Sequence, residues 1–382
     1  MSAKKNIALF TYDLDYGGTE RVVSRLANEL VKYYNVTVIL LFNKVNYKIA
    51  SEVKLVALAN KKTAYASYNP VKWIQYLSFL LKYEKYLKEN QIAVSVSFLA
   101  VPNIINGYTK SNYPKIKTLI SERCYPSKTY TGFFKKNIRK ILFKKYYNNN
   151  NLLFSNSKYI NQDLKENFNV KISSEVIYNP IVQEDSDYTF NPYYGDTFRV
   201  VSLGRLVPVK NFQGIIKAVA KLDADVTLNI YGNGILESPL KSLIKSLHTE
   251  HKTTVNQPVL NVFDVLKTHH CFVLNSHTEG FPNALLEAMS IGLPVISTNC
   301  LTGPLELLND DEPVSINEGE FYNAKYGILI NTNDVVALSK AITYLKNNEN
   351  IREKYSKLGF ERSKNYSIKN IGLQVKNLID SI

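Results

Sequence analysis

Short apolar runs alternate along this chain with longer stretches in which apolar residues recur every three or four positions. The short runs, bounded by polar or glycine-containing turns, read as strands buried on both faces, and the longer stretches as the helices that cover them. One set of strands is centred near Ile7, Val36, Val53, Val94, Ile116, Leu152 and Val176, and a second near Val200, Val226, Thr254, Cys271, Val295 and Gly327. Strands alternating with helices predict parallel sheets and an α/β fold. Between the two sets, Gln183 to Pro192 is polar and reads as a linker, so the chain divides into residues 1–183 and 184–366 with a last helix over 367–382. The acidic stretch Asn309 to Glu320 has the composition of a mobile lid.

Several strand ends carry residues suited to a phosphorylated ligand. The stretch Ser276 to Met289 sets Glu279 and Glu287 eight residues apart around a strand-to-helix junction. Thr278 is placed to cap that helix, Pro282 suits its first position, and Ala284 to Met289 are good helix formers. The amides of Phe281, Asn283 and Ala284 then lack partners within the helix, and such a helix start attracts phosphate through free N–H groups and the helix dipole. Glu287, about one turn inside, is positioned to accept hydrogen bonds from ribose hydroxyls, and Glu279 from those of a sugar. The plainer alternative is a capped core helix with two solvated acids. Upstream, Phe198 to Gly204 reads as a buried strand closed by glycine and followed by Arg205 and Lys210. These offer a planar fork and a movable point charge at the carboxyl end of a strand, where open α/β sheets bind ligands, unless they are ordinary surface charges. Asn229 to Gly234 is a strand ending in a glycine turn at Gly232, and the strand Asn6 to Phe10 leads into Gly17-Gly18-Thr19-Glu20-Arg21 and a helix.

Together these residues resemble the retaining enzymes of glycosyltransferase family 4. The resemblance extends through Ser155-Asn156-Ser157, Val176 to Pro180, Gly292 to Thr298 and Gly303 to Glu306, and so covers nearly the whole chain. It implies the GT-B fold: two Rossmann-like, doubly wound domains facing a cleft, an acceptor-binding one first and a nucleotide-sugar-binding one second, with the last helix crossing back to the first. It further implies a hexose or N-acetylhexosamine donor linked to a nucleoside diphosphate, most simply UDP, and a lipid-linked or polysaccharide glycan as acceptor. Carried over, Arg205 and Lys210 bind the donor diphosphate, Glu287 holds the ribose, Glu279 contacts the transferred sugar, and the amides of Gly280, Phe281 and Asn283 complete the cradle. Gly17, Gly18, Gly204 and Gly232 allow close approach of backbone to donor, beside Pro282 and Ala284. Arg205, Lys210 and Glu279 form the implied catalytic set, with no cofactor and no required metal.

Two departures bear on mechanism. Asn299 stands where the family often has an aspartate. All five histidines, His248, His251, His269, His270 and His277, lie in the second half, which excludes a histidine base from the first. The corresponding stretch Ser95 to Ala100, followed by Asn103, offers hydroxyls and an amide, and Glu122 and Arg123 end the next strand as acceptor-side candidates or as a structural ion pair. A front-face reaction, in which the departing phosphate oxygen takes the acceptor proton, needs no such base. The triplets Asp13-Leu14-Asp15, Asp185-Ser186-Asp187 and Asp223-Ala224-Asp225 read as turn residues and not as a metal site.

Composition narrows the setting. Of 382 residues, 45% are hydrophobic and 21% charged, a globular balance, and the three scattered cysteines suggest a reducing compartment. No apolar run approaches the roughly 20 residues needed to span a bilayer, and the start lacks the apolar block of a signal peptide. The net charge of +14 is concentrated between Lys128 and Lys145, where cations interleave with Phe133, Phe134, Ile138, Ile141, Leu142 and Phe143 and no acid intervenes. Such a segment can lie in an anionic lipid interface, giving a cytoplasmic protein peripheral on the inner face of the plasma membrane. The alternative is a core-facing helix. Trp73 to Leu81 is a second amphipathic surface, read as an ordinary packed helix. Nucleic-acid motifs are missing, and Gly17-Gly18 and Gly232-Asn233-Gly234 do not complete a dinucleotide fingerprint. A nucleotide-sugar epimerase or phosphorylase of the same shape is the enzymatic rival.

Overall fold

The computed structural model describes residues 4–15, 17–60, 70–182, 188, 190, 197–259 and 261–382. The chain divides into two compact units, Met1–Val182 with Ile368–Ile382, and Gln183–Ser367. The expected linker Gln183 to Pro192 lies outside the described residues except for Tyr188 and Phe190.

The first unit is built on a sheet of strands β1 (Asn6–Thr11), β2 (Asn35–Phe42), β3 (Lys54–Ala59), β4 (Val94–Phe98), β5 (Lys117–Glu122), β6 (Leu152–Ser155) and β7 (Ser174–Val176), in the order β3-β2-β1-β4-β5-β6-β7. Every pairing is parallel, in registers such as Ile7 with Val36 and Leu9 with Val96. Alternation sends Ile7, Leu9, Val36 and Val38 to one face, beneath helices Gly18–Leu30 and Ile368–Asp380. Ala8, Phe10, Ile39 and Leu41 go to the other, against Phe79, Tyr83 and Leu87 of helix Pro70–Glu89. Gly372 lets the C-terminal helix close on its neighbour, since a Cβ there would lie 2.5 Å from Glu29 Cγ.

The second unit repeats the plan with β8 (Phe198–Leu203), β9 (Val226–Tyr231), β10 (Thr253–Asn256), β11 (Cys271–Leu274), β12 (Val295–Thr298), β13 (Phe321–Asn323) and β14 (Ile328–Ile330), ordered β10-β9-β8-β11-β12-β14-β13. All pairs are parallel except β13 with β14. Both units are thus the doubly wound α/β folds that the alternating pattern predicts.

Local details add to this plan. Strand β13 was not anticipated: it is three residues long, half exposed, and held by antiparallel pairing and not by an apolar run. The stretch Asn309 to Glu320 is pinned and not a lid, because Asn309 donates to Glu312 O, Asn331 to Ile316 O, Asp334 accepts from Gly319 N, and Lys340 pairs with Glu320. Helix Pro70–Glu89 packs Phe79 and Tyr83 into the core and turns Leu77 and Leu81 to solvent, as an ordinary packed helix does.

Candidate functional site

The second unit places its ligand-suited residues at a topological switch point. From β8 the chain moves to β9 on one side, and from β11 to β12 on the other, so the loops after β8 and β11 lie at the reversal of strand order, where open α/β sheets bind their ligands at the carboxyl ends of the strands. Gly204 closes β8 at φ +154°, a backbone conformation that side-chain-bearing residues rarely adopt. Gly232, after β9, is required by contact, since a Cβ there would sit 1.9 Å from Gly204 O. Arg205 is exposed, and no hydrogen bond or ion pair among the described residues engages its guanidinium. Lys210 ends a 3-10 turn, Pro208–Lys210, and its Cε lies 3.8 Å from where a Cβ on Gly204 would be.

The loop after β11 is zipped to the loop after β8. His277 N donates to Val209 O at 2.8 Å and Asn275 Nδ2 to Asn211 O at 3.0 Å. This register brings Lys210 Nζ to 2.6 Å from Glu279 Oε1, an oxygen that also accepts from Ser276 Oγ at 2.6 Å. Thr298 Oγ1 at the end of β12 donates to Ser276 O at 2.7 Å, and Thr302 Oγ1 donates to Glu279 O. Thr302 adopts φ +86°, strained for a β-branched residue, and Gly303 follows at φ +87°, where a Cβ would meet Pro282 Cδ at 2.4 Å. Strain concentrated here indicates a loop shape that the surroundings impose. Burial of Cys300, and after it the nearby Glu279 charge, pushes its thiol up to about 12. Ser276, Thr298 and Thr302 were not singled out from sequence; the only signals were a serine three positions before Glu279 and a threonine ending a strand.

The helix start differs from expectation. Helix Asn283–Ser290 has Pro282 at its N-cap with no side-chain cap, and Thr278 instead forms a bridge to Leu301. The Asn283 amide donates back to Phe281 O at 3.0 Å, so it is removed from the expected cradle of amides. Gly280 and Ala284 are half-buried at the same loop, while Phe281 is buried against the Tyr366 ring at 5.8 Å. Glu287 lies one turn inside the helix and is buried.

In the first unit, Gly17 is extended at φ −169°, and the Tyr47 hydroxyl both accepts from its N–H and donates to its carbonyl. Gly18 begins helix Gly18–Leu30. The acceptor-side candidates Asn103, Glu122 and Arg123 are buried. Asn103 is fully buried, accepting from Ser97 Oγ and donating to Ser121 O and Tyr147 Oη. Glu122 accepts from Tyr147 Oη at 2.8 Å, and burial raises its carboxyl above the usual range despite that bond. Arg123 lies between the Phe98 and Phe154 rings and donates to Ile177 O and Asn179 Oδ1; desolvation lowers it to about 9. The network extends through Asn106 to Ser97 and Tyr83, which also meets Ser95.

Two acidic triplets are held by cations: Asp15 by Lys44, and Asp225 by Lys346 at 2.6 Å. Asp185-Ser186-Asp187 lies outside the described residues. The basic segment forms helix Phe133–Tyr146, whose Phe133 (78%), Phe134 (80%), Ile138 (57%) and Ile141 (66%) are exposed, whereas Phe143 faces the core. Lys144 and Lys145 are exposed on the same helix. Among the described residues no helix is long and apolar enough to cross a membrane.

Comparison with known proteins places the crevice in a family context. Residues 187–362 match the family described as glycosyl transferases group 1. Over 369 residues the chain is 29% identical to a Campylobacter jejuni N-acetylgalactosamine-N,N'-diacetylbacillosaminyl-diphospho-undecaprenol 4-alpha-N-acetylgalactosaminyltransferase, covering 94% of this chain and 95% of that one. A second C. jejuni protein, an alpha-1,4-N-acetyl-D-galactosaminyltransferase acting on a GalNAc-containing diNAcBac-PP-undecaprenol, is 27% identical over 98% of both chains. Among solved structures, Anabaena HepE in complex with UDP and glucose superposes with a TM-score of 0.76 at 14% identity, over 98% of this chain and 99% of that one.

Proposed function

We propose that the chain is a glycosyltransferase of the GT-B fold that moves a hexose or N-acetylhexosamine from a UDP-sugar, with retained anomeric configuration, onto a lipid-linked glycan in surface-glycan assembly, a reading supported by the family match and the relatives. The observation that carries this reading is the convergence of Gly204, Lys210 and Glu279 at the switch point between β8 and β11. The names of the two Campylobacter relatives and the UDP bound to HepE support the choice of donor and acceptor classes.

In this reading Arg205 and Lys210 take the diphosphate oxygens. Glu287 accepts from the ribose and Glu279 from the sugar. The acceptor oxygen bonds to the anomeric carbon on the face from which the diphosphate departs, and the hydroxyl proton passes to the leaving phosphate oxygen. No protein nucleophile is consumed. The chain supplies charge stabilisation on the leaving group, which is preorganised by the crossed loops and is the effect that usually contributes most to catalysis.

The helix Phe133–Tyr146 docks the protein on the anionic inner face of the plasma membrane, where a lipid-linked acceptor resides. Its exposed phenylalanines and isoleucines suit the acyl boundary and its lysines the headgroups.

Reconstitution tests both parts: the full chain is mixed with UDP-N-acetylhexosamines and a lipid-linked acceptor in vesicles containing anionic lipid. The new linkage, read by nuclear magnetic resonance, is expected to keep the donor's α configuration, and Ile138→Asp is expected to release the protein from the vesicles. An inverted linkage, conversion of the donor without acceptor, or vesicle binding untouched by Ile138→Asp would each remove the corresponding part.

A further inference from the structure

The Lys210–Glu279 contact joins two groups that, on the reading above, serve different parts of one donor. The two sides of the contact are held unequally. Glu279 is fixed without the lysine, because Ser276 Oγ donates to its Oε1 and Thr302 Oγ1 to its backbone carbonyl, and its side chain is only 8% exposed. Lys210 is 21% exposed, ends a short turn, and has Glu279 as the sole hydrogen-bond acceptor of its ammonium among the described residues. Its stem lies over Gly204, with Cε 3.8 Å and Cδ 3.9 Å from where a Cβ would be, beside the Phe212 ring. No described group donates to Glu279 Oε2.

We propose that this ion pair is a donor-sensing latch, which opens when a diphosphate draws Lys210 away and stays open at low cost only when a sugar hydroxyl replaces the ammonium on Glu279. The proposal rests on the donor-site reading. A diphosphate bound beside Arg205 is a stronger partner for Lys210 than one carboxylate. Taking the lysine, however, strands a largely buried carboxylate next to phosphate charge, and an uncompensated buried charge is unfavourable. The sugar of a nucleotide-sugar offers O–H donors to that carboxylate; a bare nucleoside diphosphate does not. Phosphate recognition and sugar recognition are thereby coupled, and the spent nucleotide is disfavoured relative to the donor. Glu279 is on this account the residue that sets discrimination between donor and product.

The test is titration calorimetry of UDP and UDP-N-acetylgalactosamine with the full-length wild-type chain and with Glu279→Gln. The variant should bind UDP about tenfold more tightly than the wild type, the effect of removing one competing, partly buried ion pair, while UDP-N-acetylgalactosamine gains nothing. Unchanged or weaker UDP binding by a folded Glu279→Gln overturns the latch and leaves the donor site standing. Wild-type protein that binds neither ligand overturns both. Should the variant fail to fold, wild-type crystals soaked with UDP decide: Lys210 Nζ bonded to phosphate supports the latch, and an intact 2.6 Å contact with Glu279 refutes it.

Discussion

The two sheets share an architecture but use polar residues in opposite ways. At the carboxyl edge of the second, Arg205 is exposed and Lys210 meets Glu279, held by loops joined where His277 N donates to Val209 O and Asn275 to Asn211 O. In the first, Ser97, Asn103, Glu122 and Tyr147 are as polar yet face one another inside the core. The difference is one of partners. A polar group that finds its hydrogen bonds within the protein contributes uniqueness of packing; one left facing solvent beside a charge of opposite sign is available for chemistry.

The largest expected effect follows from removing a charge on the open side. Lys210→Ala should lower kcat by about two to three decades, equivalent to roughly 3 to 4 kcal/mol on the barrier, with the melting temperature changed by only a few degrees. A comparable loss of melting temperature with normal kcat would make the two edges alike. Next come two glycines facing the same steric problem. A Cβ on Gly232 would lie 1.9 Å from Gly204 O, and one on Gly107 1.9 Å from Tyr146 O. Each alanine variant should destabilise its own unit by about 1 to 3 kcal/mol. Only Gly232→Ala should also raise the donor KM, because it displaces Gly204 and with it the loop that carries Arg205 and Lys210; a raised donor KM in Gly107→Ala would contradict the division of roles.

The smallest effect concerns Glu122. Its folded carboxyl is raised by burial, so the folded state holds a proton that the unfolded chain releases, and this contribution to stability is present at acid pH and lost as pH rises through the folded value. Glu122→Gln should flatten that part of the stability profile in denaturant melts from mildly acidic to neutral pH, with donor binding unchanged. A profile as steep as the wild type's would mean that another group carries the proton.

Much of the fold was legible because strands buried on both faces read as continuous apolar runs; β13, with two of its residues exposed, offered no such run. Val94-Ser95-Val96-Ser97-Phe98 shows why polarity alone misleads. It carries a hydroxyl at every second position, yet β4 is central and buried, and its hydroxyls are matched by Asn103 and Asn106 from the next helix, a pairing visible only once the helix is docked. At the site, the glycine-ended strands and the cation and acids were legible from local spacing. The Lys210–Glu279 pair, its hydroxyl braces and the diversion of the Asn283 amide were not, because they depend on loops brought together by the strand order.

The helix Ile368–Asp380 also governs the order in which the molecule can be completed. Ile371, Val375 and Ile379 clad one side of the first sheet, yet the ribosome makes them only after every residue of the second unit. The later-encoded half can therefore finish folding while the earlier one still shows uncovered hydrocarbon to solvent, an interval in which chaperone capture or aggregation competes with docking of that final segment.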